Sequence, residues 1–219
     1  MSKFDSIRFY RDEEVQPALQ SISQHPMMKS LIEYTFPDYG QDQIKDLFNN
    51  IHSIRDFQSK IIYITLQRVL ANSSEGLSGE GFEKLDPNTS YLFISNHRDI
   101  LLDTSLLNVM LFDHKKVMTA SAVGDNLVQK QLFMDLAKLN RNFLVNRNIS
   151  PRELLASSKT LSEYMYSLIQ EENRSVWIAQ REGRTKDGND ATHPGVLKMI
   201  GMACDEPSMM DYFKKIRIV

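Results

Sequence analysis

The stretch that decides the fold runs from Tyr91 to Asp103 and has the sequence YLFISNHRDILLD. Its first part, Tyr91–Ser95, is apolar, rich in residues that favour strands, and too short for a helix. Its last part opens a segment of helical length, Leu101–Phe112. A short strand followed by a helix is the repeating unit of an α/β domain. In parallel sheets the chemistry gathers where such strands end.

The chain after this stretch keeps the same rhythm. The further runs that we predict as strands are Val117–Ala120, Phe143–Val145, Val176–Ala179 and Ile216–Val219. The segments that we predict as helices are Asn126–Leu139, Pro151–Glu171 and Pro194–Ala203. Pro151 after Ser150 is typical of an N-cap followed by proline at the first helical position. The alternation predicts an α/β fold with a largely parallel central sheet flanked by helices.

The chain before Tyr91 has a helical pattern instead. The predicted helices are Glu13–Phe36 with a break at His25-Pro26, Asp42–Asn50 with Asp42 as a possible N-cap, and Ile54–Asn72. We expect a small helical N-terminal region over residues 1–75 and an α/β domain over residues 76–219. The run Ile216–Val219 ends without a turn or a polar tail, so we also expect this domain to be truncated there.

The composition narrows the functional classes. With 26 Lys and Arg against 28 Asp and Glu, the net charge is −2, so a nucleic-acid partner is not expected. The one cysteine, Cys204, excludes an intrachain disulfide and favours a reducing compartment. No apolar run approaches the roughly 20 residues of a membrane-spanning helix. If the protein acts on lipids, we expect it to act from the membrane surface.

The first candidate functional residues lie directly after Tyr91–Ser95. His97 is followed by Asp99 two residues later and by Asp103 six residues later. Either carboxylate could hold one ring nitrogen and stabilise the imidazolium, which leaves the other nitrogen to take a proton from a hydroxyl. Asp99 also suits a helix N-terminus, where it would favour the dipole. The residues alone leave both partners open.

Two further polar clusters follow other predicted strands. Arg147 comes after Phe143–Val145, and arginine is the preferred side chain for binding phosphate or carboxylate. The sequence Glu182-Gly183-Arg184 comes after Val176–Ala179, in a basic turn whose backbone amides could cradle an anion. Each cluster alone is consistent with a solvated strand end, but three clusters at strand ends indicate a site.

Together these motifs resemble those of the glycerol-phosphate / lysophosphatidate (1-acylglycerol-3-phosphate) acyltransferase superfamily. The family's motifs His-x4-Asp, apolar-apolar-x-Arg and Glu-Gly-Thr-Arg-Ser are matched, the first and last loosely, by His97 with Asp103, Leu144-Val-Asn-Arg147 and Glu182-Gly-Arg-Thr185. The chain is most similar to bacterial members with a helical N-terminal extension. Five residues, not four, separate His97 from Asp103, and Arg184 stands where the family has threonine.

The resemblance implies direct acyl transfer in phospholipid biosynthesis, with no metal or other cofactor. His97, oriented by Asp103, would deprotonate a hydroxyl of glycerol 3-phosphate or a lysophospholipid, which then attacks the thioester of acyl-CoA or acyl-carrier protein. The residues that would form or support the acceptor phosphate site are Arg147, Glu182, Gly183 and Arg184. The resemblance also implies a cytoplasmic protein, peripheral to the inner face of the cell membrane.

Two other functions remain open from the sequence. A metal-dependent phosphohydrolase would use His97, Asp99 and Asp103 as ligands around a metal-bound water, and it predicts activity that a chelator abolishes. A non-catalytic lipid- or phosphate-binding module, helped by the amphipathic N-terminal helices, predicts ligand binding that survives the loss of His97.

Overall fold

A parallel four-stranded sheet forms the centre of the α/β part, in a computed structural model that describes residues 2–188 and 190–219. The strands are β1 (Leu92–Ser95), β2 (Thr119–Gly124), β3 (Asn142–Val145) and β4 (Ser175–Ala179). They lie in the order β1-β4-β2-β3, so that β4 is inserted between β1 and β2. The prediction of a parallel sheet with flanking helices is confirmed.

The register of the sheet brings the ends of β1 and β4 to the same level. Ser95 of β1 lies opposite Ala179 of β4, and on the other side of β4 Trp177 lies opposite Ser121 of β2. Hydrogen bonding continues beyond the strands, because the backbone N–H of Gln180 donates to the carbonyl of Ser95 over 2.8 Å. The residues that follow β1 and β4 therefore start side by side at the carboxyl end of the sheet.

Helices precede the first strand in the chain and alternate with the strands after it. In chain order they are α1 (Val15–Ile22), α2 (Pro26–Thr35), α3 (Gln41–Asn49), α4 (Ile54–Phe57), α5 (Tyr63–Ser73), α6 (Leu102–Asp113), α7 (Gln131–Leu139), α8 (Pro151–Gln170), α9 (Pro194–Ile200) and α10 (Met209–Lys215). A π-helical turn, Gln58–Ile62, joins α4 to α5. The predicted N-cap Asp42 is wrong: Gly40 caps α3, and its N–H donates to the side chain of Gln43. Of the helices in the described residues, none is long and apolar enough to cross a membrane.

The segment Ile216–Val219 differs from its prediction as a strand. It forms an isolated parallel bridge, in which Ile218 pairs with Leu92 of β1. The N–H of Leu92 donates to the carbonyl of Arg217 over 3.1 Å, and the N–H of Val219 donates back to Leu92 over 2.9 Å. Arg217 has a φ of +51°, in the left-handed region, which interrupts the extended backbone that a regular strand needs.

The chain divides into two compact units. One comprises the residues up to Ile7 together with 79–125 and 144–219, and the other comprises residues 8–78 and 126–143. In the second unit Leu132 and Leu139 of α7 belong to the same buried cluster as Phe57 and Ile61. The apolar side of α7 explains why residues 126–143, which the sequence pattern assigned to the α/β domain, pack with the N-terminal helices.

The start of α8 is as predicted from the pair Ser150-Pro151: Ser150 is the N-cap and Pro151 is the first residue of the helix. The hydroxyl of Ser150 accepts a hydrogen bond from the N–H of Glu153 over 3.3 Å, and the N–H of Ser150 donates to the carboxylate of Glu153 over 2.9 Å. This reciprocal arrangement satisfies two backbone donors that the helix itself leaves unpaired.

We predict that Ser150→Ala lowers the free energy of unfolding by about 1 kcal/mol, because it removes one side of this capping box. Urea denaturation followed by circular dichroism measures the change. Ser158→Ala in the body of α8 is the matched control, and it should leave stability unchanged or slightly higher because alanine is the better helix former. Equal destabilisation by the two variants would contradict the capping role.

Candidate active site

The imidazole of His97 is held by the carboxylate of Asp103. Nδ1 of the ring lies 2.7 Å from Oδ2 of Asp103. The same carboxylate accepts hydrogen bonds from the N–H groups of Arg98 and Asp99, at 2.8 Å and 3.1 Å. Because the carboxylate accepts from these two donors, Nδ1 of the ring acts as a donor to it as well, and in the neutral imidazole Nε2 then holds the lone pair. The side chains of His97 and Asp103 are only 17% and 18% exposed.

Asp99 has different hydrogen-bond partners. Its Oδ1 accepts from the N–H groups of Leu101 and Leu102, both at 2.8 Å, at the start of α6. These bonds hold the pKa of the Asp99 carboxyl below its usual value. Of the two partners that the sequence left open for His97, the structure pairs Asp103 with the ring. The additional residue between His97 and Asp103 is accommodated in the turn that precedes α6.

A second contact on the ring of His97 comes from Trp177 in β4. The two rings meet edge to face, with centroids 5.9 Å apart and planes at 68°. The indole Nε1 donates to the hydroxyl of Ser95 over 2.9 Å. Sequence reasoning missed Trp177, because nothing in the sequence shows that β4 inserts next to β1. Within the described residues Nε2 of His97 has no hydrogen-bond partner.

Arg147 and Glu182 lie together. Nη1 of Arg147 is 2.7 Å from Oε1 of Glu182, and the backbone N–H of Arg147 donates to Oδ1 of Asp125 over 3.0 Å. These contacts join the loops that follow β2, β3 and β4. The side chain of Glu182 is 79% exposed. An anion that binds Arg147 therefore has to compete with a carboxylate that is free to turn into solvent.

The remaining predicted site residues belong to the loop after β4. Gly183 has a φ of +71°, a conformation that favours glycine. Two residues later the N–H of Thr185 donates to the carbonyl of His97 over 2.6 Å. Arg184 is exposed, and its charge interacts favourably with the carboxylate of Asp99. The loop thus contacts the His97 segment through its backbone and Arg147 through Glu182.

A model of a known protein family matches the part of the chain that contains the predicted clusters. Residues 77–205 match the family model described as Acyltransferase. This match spans more than half of the chain and includes His97, Asp103, Arg147 and Glu182-Gly-Arg184. The chain belongs to the acyltransferase family. No curated protein matches it. The family model supports the resemblance to the glycerolipid acyltransferase superfamily that the motifs indicated.

The metal-ligand set of the alternative hydrolase hypothesis does not form in this acyltransferase. Among residues 2–188 and 190–219 no group of three His, Cys, Asp or Glu side chains is placed to hold a metal ion. That hypothesis needs Asp99 as a third ligand beside His97 and Asp103. The carboxylate of Asp99 instead accepts hydrogen bonds from backbone N–H groups of the turn before α6.

We predict that Asp103→Asn reduces the kcat of acyl transfer by about 10²–10⁴-fold, because it disables His97, the predicted general base, whose contribution is of this size. An amide at this position no longer stabilises the imidazolium and can donate to Nδ1, which selects the wrong tautomer. Asp99→Asn is the matched control, because its remaining carbonyl oxygen still accepts from Leu101 and Leu102, and its kcat should stay near that of the wild type. A larger loss for Asp99→Asn than for Asp103→Asn would reverse the assignment.

Proposed function

We propose that this protein is a glycerolipid O-acyltransferase, which moves a fatty acyl group from acyl-CoA or acyl-carrier protein to a hydroxyl of glycerol 3-phosphate or a lysophospholipid. We propose that it does so in phospholipid biosynthesis, at the inner face of the cell membrane. The observation that carries the proposal is the 2.7 Å pair of His97 and Asp103 after β1, in a chain of the acyltransferase family. A histidine fixed at Nδ1 and open at Nε2 is the arrangement of a general base.

In the proposed reaction, Nε2 of His97 takes the proton of the acceptor hydroxyl as its oxygen attacks the carbonyl carbon of the thioester. The new C–O bond forms, the C–S bond breaks, and the sulfur leaves with the electron pair as a thiolate. The carboxylate of Asp103 stabilises the imidazolium between these steps. The imidazolium then gives its proton to the thiolate, so that the products are an ester and a thiol.

The acceptor phosphate is proposed to bind at Arg147. A phosphate offers the guanidinium paired, charge-assisted hydrogen bonds, which suit it better than the single contact with Glu182. Glu182 keeps Arg147 oriented until the acceptor arrives and then turns into solvent. Gly183 allows the turn of the loop at this point. Arg184, two residues after Glu182, is proposed to support the site with a second positive charge.

We predict that His97→Ala lowers kcat by about 10²–10⁴-fold while the protein stays folded. Release of free thiol from several acyl donors, each tested with a panel of acceptors, measures turnover, and the thermal midpoint monitors folding. His114→Ala is the control, since His114 lies on the surface, where its ring bonds the carbonyl of Met110 and stacks on Phe82. Full turnover in a folded His97→Ala protein would show that His97 is not the general base. Acceptor binding in a wild type without turnover would favour the binding module.

We predict that Arg147→Ala raises the KM for a phosphorylated acceptor by about 10–150-fold, which corresponds to about 1.5–3 kcal/mol for a lost charge-assisted contact. The KM for the acyl donor should not change. Glu182→Gln provides the opposite test, because it removes the competing charge and should lower the acceptor KM or leave it unchanged. If Arg147→Ala raises the donor KM alone, Arg147 belongs to the acyl-donor site instead.

A further inference from the structure

Asp103 alone does not fix the ring of His97. One hydrogen bond at Nδ1 sets the position of that atom but leaves the imidazole free to pivot about it. The edge-to-face contact with Trp177, at a centroid separation of 5.9 Å, lies within the favourable range for aromatic pairs and opposes such a pivot. The two contacts together define the direction in which Nε2 points.

Trp177 is itself anchored to the chain beside His97. Its Nε1–H donates to the hydroxyl of Ser95 over 2.9 Å, and this hydroxyl donates to the carbonyl of Asn96 over 3.0 Å. That carbonyl belongs to the peptide group that joins Asn96 to His97. The indole therefore contacts the imidazole directly and also reaches its backbone through Ser95.

The supporting element is rigid. Trp177 is 3% exposed and lies in the middle of β4, which pairs with β1 on one side and β2 on the other. A buried tryptophan needs a hydrogen-bond acceptor in any case, and many polar atoms of the sheet would satisfy it. Here the acceptor is the hydroxyl that lies two residues before His97.

We infer that Trp177 and Ser95 are positioning residues that hold the imidazole of His97 in its productive orientation, an inference that rests on the proposed role of His97 as general base. The two side chains touch no reacting atom. Their contribution is orientation, and misplacement of a catalytic group by about 1 Å can cost up to about 10²-fold in rate. Their loss should therefore lower kcat without weakening substrate binding.

The kinetic test removes the hydroxyl and the indole N–H separately. Ser95→Ala and Trp177→Phe should each lower kcat by up to about 10²-fold at unchanged donor and acceptor KM. The double variant should be no slower than the slower single variant, because both changes break one connection. Ser95→Thr keeps a hydroxyl at this position, so its kcat should be close to that of the wild type and well above that of Ser95→Ala.

Ser121→Ala is the matched control for loss of packing. Ser121 is a buried hydroxyl opposite Trp177 in β2, and its hydroxyl bonds Thr119 over 3.2 Å. Its removal should lower the thermal midpoint about as much as Ser95→Ala but leave kcat unchanged. Equal kcat for Ser95→Ala and Ser121→Ala would mean that Ser95 only stabilises the sheet, which overturns the inference.

The fluorescence of Trp177 gives a test that needs no substrate, since the chain contains no other tryptophan. Replacing the imidazole with an amide removes the ring that the indole contacts at a centroid separation of 5.9 Å, so the emission of His97→Gln should differ from that of the wild type. The emission of the control variant His114→Gln should match that of the wild type.

The two tests separate the possible failures. A wild type that transfers no acyl group to any acceptor overturns the proposed function, and the positioning role with it, even if the fluorescence shows the contact. The positioning role alone is overturned if the wild type is active but its emission is the same as that of His97→Gln, or if its kcat is the same as that of Ser95→Ala.

Discussion

The parallel pairing of β4 with β1 is the constraint on which the proposed site depends. It places Ser95 opposite Ala179, so that the chain leaves both strands at the same level. Backbone hydrogen bonds then connect the two loops, from Gln180 to Ser95 and from Thr185 to His97. Residues about 80 positions apart in the sequence become neighbours through a few backbone contacts. Side-chain contacts, such as that of Trp177 with Ser95, then add to this pairing.

The elements of the α/β part could be predicted because their signals are local. The apolar runs near β1 to β4 and the Ser150-Pro151 start of α8 depend on residues that adjoin one another in the chain. The three polar clusters were found for the same reason, since each directly follows such a run. Acyl transfer was implied by the resemblance of their motifs to a known family, and the family match supports acyl transfer as the activity of the chain.

The features that could not be predicted depend on the conformation of a turn or on long-range packing. The choice between Asp99 and Asp103 required the conformation of the turn before α6, and the contact of Trp177 with His97 required the strand order. The association of α7 with the N-terminal helices depends on which buried cluster its leucines enter. Ile216–Val219 contains residues that favour strands, but the positive φ at Arg217 limits the segment to an isolated bridge.

The anion site proposed at Arg147 is compatible with the chain's net charge of −2, because the cations near it are paired with carboxylates. Arg147 is paired with Glu182, and Arg98 with Asp190 at 2.7 Å. These pairs neutralise the cations at long range, so that attraction becomes significant only for a ligand that displaces a carboxylate at close range. Recognition of this kind selects by geometry more than by total charge.

The segment beside β1 also protects the strand that leads to His97. In the β1-β4-β2-β3 order β1 is an outer strand, and the outward N–H and C=O groups of such a strand can template pairing with another polypeptide. Here the N–H groups of Leu92 and Ile94 donate to Arg217 and Val219, and the carbonyl of Leu92 accepts from Val219. Hydrogen exchange of the Leu92 and Ile94 amides with solvent should therefore be slow while Ile216–Val219 is paired with β1 and fast when this segment separates from the strand.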